Sequence, residues 1–149
     1  MSIWWSLHLR REAASVPLAR RLLIGTMETA GVDPDVSFDL SLALSEACAN
    51  AVEHGGAGAY RVTAYLDGEK CRIEVADSGP GFPGAAQGCP TQAPRPAAAE
   101  TDEHGRGLCL IRELADHVHL GNKPGMGGGA VISFDKMLKW REGAPLLTA

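Results

Sequence analysis

The chain has 149 residues, 45% of them apolar, which fits one domain with a real core and leaves little room for a second. Its formal net charge of −4 argues against nucleic acid or an anionic membrane as the main partner. No stretch approaches the roughly 20 apolar residues that span a bilayer, and Cys48, Cys71, Cys89 and Cys109 never form a close pair, so a soluble, cytoplasmic protein with reduced, structural thiols is expected.

Ile3, Trp5, Leu7 and Leu9 alternate along the first residues, which carry neither a basic start nor an apolar run long enough for export; they read as a strand. Ser15 is placed to cap a helix with apolar positions Leu18, Leu22, Leu23 and Met27, ending near Gly31. Asp33 followed by Pro34 forms an N-cap with proline at the first helical position, opening a second helix to about His54. Leu40, Leu44, Ala47, Cys48 and Ala51 gather on one side of it, the stripe of a core-facing helix. At about 100° per residue, Glu46 and Asn50 lie only about 40° apart and off that stripe, and Glu53 extends their side. A carboxylate and an amide one turn apart can present two oxygens to a metal or a reacting group. A solvated polar face has the same pattern.

Gly55, Gly56 and Gly58 end this helix. Tyr60, Val62, Ala64 and Leu66 then alternate up to the turn signal Asp67-Gly68, and Cys71, Ile73 and Val75 return in a second strand. The hairpin delivers the chain to Asp77-Ser78-Gly79-Pro80-Gly81-Phe82. An aspartate after a strand, followed by alternating glycines, allows close backbone approach to a flat ligand, while the carboxylate suits an exocyclic amine; an ordinary turn reads the same way. Between Phe82 and His104, four prolines, six alanines and three acidic residues give no period, as expected of a mobile loop. Gly105-Arg106-Gly107-Leu108 opens a helix with Leu108, Ile111, Leu114 and Ala115 on one face, ending near Val118. Glycines there leave backbone N–H groups facing outward, where the helix dipole favours anions, or they only make the turn. His117 to Leu120, the glycine-rich turn Gly121 to Gly129, and Ala130 to Phe134 read as a second hairpin.

No G-x-x-x-x-G-K-[ST] occurs, and no G-x-G-x-x-G follows a strand, so a phosphate site would have to be built another way. The order Glu46-x-x-x-Asn50, Asp77-x-Gly79-x-Gly81, long loop, Gly105-x-Gly107-Leu108 resembles the N, G1 and G2 boxes of the GHKL superfamily, the ATPases of gyrase and histidine kinases, over about residues 3 to 135. Within it, the wording from Leu42 to Gly55 is most similar to the anti-sigma factor serine kinases of bacterial partner switches. The resemblance implies an α+β two-layer sandwich: a mixed, largely antiparallel sheet packed on three helices, in one domain over residues 1–149, with an ATP lid at 83–104 and a C-terminal tail at 136–149.

Carried over by position, the resemblance implies that Asn50 helps hold the Mg²⁺ bridging the phosphates and that Asp77 binds the adenine amine. Gly79 and Gly81 would shape the adenine side, while Gly105, Gly107 and the N–H of Leu108 would line the phosphates of ATP or ADP. Glu46 would be the general base. The family's last glycine-rich turn usually ends in glycine-threonine, whereas this chain reads Gly129-Ala130. No lid arginine can be aligned; Arg106 is the nearest basic candidate. The implied activity is a serine/threonine kinase that phosphorylates an anti-sigma factor antagonist and also sequesters a sigma factor. The alternative is an ATP-dependent binding module without kinase activity. A homodimer through the first strand follows by analogy alone. His8, in a strand, and His54, at a helix end, do not suit the phosphoacceptor of a histidine kinase; His104, His117 and His119 read as surface or hairpin residues.

Overall fold

Alternation makes the strands, and the computed structural model describes them within residues 2–56, 58–79, 103–122 and 129–144, with residues 103–106 by backbone alone. In chain order the elements are β1 (Ile3–Arg10), α1 (Ser15–Ala30), α2 (Pro34–His54), β2 (Ala59–Leu66), β3 (Lys70–Asp77), α3 (Glu103–Leu114), β4 (His117–Asn122) and β5 (Ala130–Met137). The strands form one sheet in the order β1-β2-β3-β5-β4. Every ladder is antiparallel, so the sheet expected to be mixed and largely antiparallel is wholly antiparallel among the described residues. The three helices pack on one face of it. Ala19, Leu23 and Met27 of α1, Leu40, Leu44 and Ala47 of α2, and Ile111 of α3 meet Val62, Ile73, Ile132 and Phe134 of the sheet in one buried cluster.

Local chemistry explains most boundaries. Asp33 Oδ1 accepts the Asp35 amide at 2.8 Å at the start of α2, and Pro34 fills a position whose N–H would have no helical partner. Gly31, at φ 93°, ends α1 in the left-handed conformation that a side chain would oppose.

Several boundaries differ from the sequence reading. Ser15 is the first residue of α1 and not its side-chain cap; its buried hydroxyl instead lies 2.6 Å from Tyr60 Oη and donates to Glu12 O. The buried stripe of α1 is Ala19, Leu23, Met27 and Ala30, whereas Leu18 and Leu22 face outward. The hairpin tip is Gly68-Glu69: the Asp67 amide bonds Lys70 O, and Asp67 Oδ1 accepts the amides of Glu69 and Lys70. Those last bonds, led by that from Lys70, hold the Asp67 carboxyl below its ordinary value.

The third helix begins at Glu103 and stops at Leu114, short of Val118. It stops there because the Asp116 amide turns to Asp135 O and His117 already pairs in β4. Of the proposed lid, residues 83–102 lie outside the described residues, while 103 and 104 belong to α3. Lys136 and Met137, set apart with the tail, continue β5; beyond them Leu138 is buried, Trp140 pairs with Val32 and its indole N–H donates to Gly68 O at 3.0 Å.

Candidate functional site

The functional candidates that fall on described residues converge at the C-terminal end of α2, where it meets the end of β3 and the first turns of α3. Glu46 and Asn50 are half-buried on α2, one turn apart, beside the fully buried stripe of Leu44, Ala47, Cys48 and Ala51. Asn50 Oδ1 is buried and has no hydrogen-bond partner among the described residues. A buried amide oxygen left bare costs free energy, so the site suits a ligand that brings a donor or a cation to that oxygen.

Gly107 is where α3 presses on Glu46: a Cβ at that position would lie 3.0 Å from Glu46 Oε2. Any side chain there would push the carboxylate aside, so this glycine keeps room for Glu46. A helix whose first residue is Glu103 leaves the amides of residues 103–105 without intrahelical partners, and these include Gly105. The amides of Gly107 and Leu108 fall in the next turn; Leu108 is half-buried and packs against the core.

Asp77 is 5% exposed at the end of β3. The two hydrogen bonds it accepts from described residues both go to Oδ1, from the Gly79 amide at 2.8 Å and the Ala130 amide at 3.2 Å. The carboxylate is thus fixed in orientation through one oxygen. Ala130 holds it with a backbone amide, so the position that lacks the family's hydroxyl still belongs to the site.

Gly79 fits between the ends of two elements, since a Cβ there would be 2.6 Å from His54 O and 2.9 Å from Gly55 C. Gly56, at φ +67°, closes the contact from the other side, with a Cβ position 2.7 Å from Gly79 Cα. Gly55 lies against Asp77, whose Cβ is 3.1 Å from where a Cβ on Gly55 would be. The sequence reading gave Gly55 and Gly56 only the role of ending the helix. Their contact with Gly79 joins residues far apart in the chain, and the only sequence signal for it is the glycine pair itself.

Gly81 lies outside the described residues, as does Cys89, and nothing is described of the Arg106 side chain. Cys48, on the buried stripe of α2, is fully buried, and burial pushes its thiol up to about 12, partly offset by a hydrogen bond with Tyr60. Burial likewise raises the Cys71 thiol to about 12. A groove of about 460 Å³ lined by Ile24, Val32, Ser37 and Phe38 lies at the other end of α2. Ser37 is about 20 Å along the helix from Asn50, so the groove is separate from this site. No group of three or more His, Cys, Asp or Glu side chains that could hold a metal occurs among the described residues, and no described helix is long and apolar enough to cross a membrane.

Residues 9–135 match the histidine kinase-like ATPase domain. The chain belongs to the histidine kinase-like ATPase family. Within that family it is 30% identical over 130 residues to the serine-protein kinase RsbW of Bacillus licheniformis, covering 83% of this chain and 78% of the relative. It is 31% identical over 119 residues to the RsbW of Bacillus subtilis, covering 74% and 73%. The RsbU and RsbW domains of a Mycobacterium tuberculosis protein share the fold, with a TM-score of 0.62 at 22% identity over 91% of this chain and 33% of the solved one. Both the fold and the superfamily read from the sequence therefore stand, and membership of this ATPase family implies that the chain uses ATP.

Proposed function

We infer that this histidine kinase-like ATPase domain is a serine/threonine-protein kinase of a partner switch, which uses Mg-ATP to phosphorylate an anti-sigma factor antagonist and also sequesters a sigma factor. The observation that carries the reading is the pair on α2: a buried Asn50 Oδ1 without a partner among the described residues, one turn from a half-buried Glu46 carboxylate that lies against Gly107. The RsbW relatives, named serine-protein kinases, point to the same activity.

An amide oxygen without a partner fits a Mg²⁺ ligand, and the ion would neutralise phosphate charge as the bond to the leaving group breaks. Asp77, fixed through Oδ1, has Oδ2 to accept the adenine amine, with Gly79 and Gly81 on the adenine side. The first amides of α3, Gly105 among them, face the phosphates at the positive end of the helix dipole, and Arg106 is the nearest basic residue to them. Glu46 takes the proton from the attacking serine hydroxyl as its oxygen bonds the γ-phosphorus and the bond to the β-phosphate oxygen breaks, releasing ADP. Among the described residues β1 is an edge strand, and its outer side suits a second copy. One observation favours the alternative of a non-catalytic binding module: Ala130 supplies only its amide where the family has a hydroxyl as well.

Transfer of labelled γ-phosphate to an antagonist captured from the native cell decides between them. Glu46→Ala should keep ATP affinity near wild type and lower transfer by about 10²- to 10⁴-fold. Wild-type protein that binds ATP and its partner tightly yet transfers no phosphate would replace the kinase reading with the binding module.

A further inference from the structure

Arg11, the residue after β1, reaches across to the last turn of α2. Its Nε donates to Ala51 O and Val52 O, both at 3.1 Å, and its Nη2 to Val52 O at 2.7 Å and Glu53 O at 3.2 Å. Its Nη1 donates to Gly56 O. Its own amide bonds Gly58 O at 3.1 Å, so the main chain is pinned to the same segment.

The last four carbonyls of a helix have no partner within it, and they form the negative end of its dipole. A guanidinium answers both needs at Val52 O and Glu53 O, because it is always charged and presents several donors in one rigid plane; Ala51 O, which Arg11 also reaches, accepts the Gly55 amide at 2.9 Å as well. Arg11 thus holds the end of α2 from one side while Gly79 meets Gly55, Gly56 and His54 O from the other. The clamped carbonyls begin at Ala51, directly after Asn50, and the gripped segment ends on Gly56, which touches the turn that fixes Asp77 through the Gly79 amide.

We propose that Arg11 is a positioning residue for the nucleotide site: it touches neither phosphate nor base, and sets Asn50 and the Asp77 turn in mutual register by locking the end of α2. The inference rests on the reading of Asn50 and Asp77 given above. Lysine in its place keeps the charge at the helix end and loses the fork, so it separates positioning from a simple dipole effect.

The test is calorimetry of wild type, Arg11→Lys, Arg11→Ala and the exposed neighbour Arg10→Ala, titrated with ATP with and without Mg²⁺ and with GTP, alongside thermal melts without nucleotide. Arg11→Lys should lose roughly ten-fold in Mg-ATP affinity, the cost of a few charge-assisted bonds. It should also show a smaller gain from Mg²⁺ and a smaller preference for ATP over GTP, while Arg10→Ala behaves as wild type. A variant with a lower melting temperature but unchanged Mg²⁺ gain and base preference would make Arg11 merely structural and overturn the proposal, and Arg11→Lys carries this test if Arg11→Ala does not fold. Wild type that binds no Mg-ATP would instead remove the nucleotide site itself, and the inference with it.

Discussion

At its start α2 has a side-chain cap made by sequence neighbours, with Asp33 accepting the Asp35 amide and Pro34 at the first helical position, beside one distant bond from the Asp33 amide to Lys139 O; its end is gripped from 40 residues away by the Arg11 guanidinium and packed against Gly79 beyond the β2–β3 hairpin. The contrast shows where precision is required. A side-chain cap satisfies the first amides of a helix and does not itself set the helix against a neighbouring element. The far end, which carries the candidate metal ligand and abuts Asp77, the proposed adenine carboxylate, is fixed by the Arg11 side chain and by close backbone contact with the turn after β3. Close packing at such a point makes small additions costly.

Substitution should therefore separate the two ends. Gly79→Ala puts a methyl 2.6 Å from His54 O, which has to shift. A loss of about 1–3 kcal/mol is expected, together with a clear fall in ATP affinity, because the methyl moves Asp77 against Asn50. Denaturation and calorimetry of the same preparation measure both, and unchanged ATP affinity would erase the distinction between the ends. Asp33→Ala should cost somewhat less, about 1 kcal/mol for a lost cap. Its ATP affinity should stay at the wild-type value, since the start of α2 does not adjoin the site. A joint loss of stability and affinity in Asp33→Ala would mean that the whole helix moves as one rigid lever.

The same contrast explains what the sequence revealed. Asp33-Pro34, the alternation of β2 and β3, and the stripe from Leu40 to Ala51 are local signals, and each element appears where its pattern predicts. Helix α1 was harder, because Leu18 and Leu22 satisfy the helical period as well as Ala19 and Ala30 do, and only the packed sheet decides which stripe is buried. Ser15 has the pattern of a cap, and its actual partner Tyr60 lies 45 residues away in β2. In the candidate site, Glu46, Asn50 and Asp77 were legible through the order of their motifs. The grip of Arg11, the fit of Gly79 between His54 O and Gly56, the clearance that Gly107 gives Glu46, and the Ala130 amide on Asp77 were not. Each is a contact between segments distant in the chain, and no local pattern encodes it.

The central claim is that the bare Asn50 oxygen holds the metal that accompanies ATP, and calorimetry of ATP with and without Mg²⁺ tests it most directly. Wild type and Glu46→Ala should both bind ATP more tightly with Mg²⁺, while Asn50→Ala should lose that gain and bind the nucleotide weakly in either condition. Asn50→Ala protein that binds Mg-ATP as tightly as wild type would contradict the account.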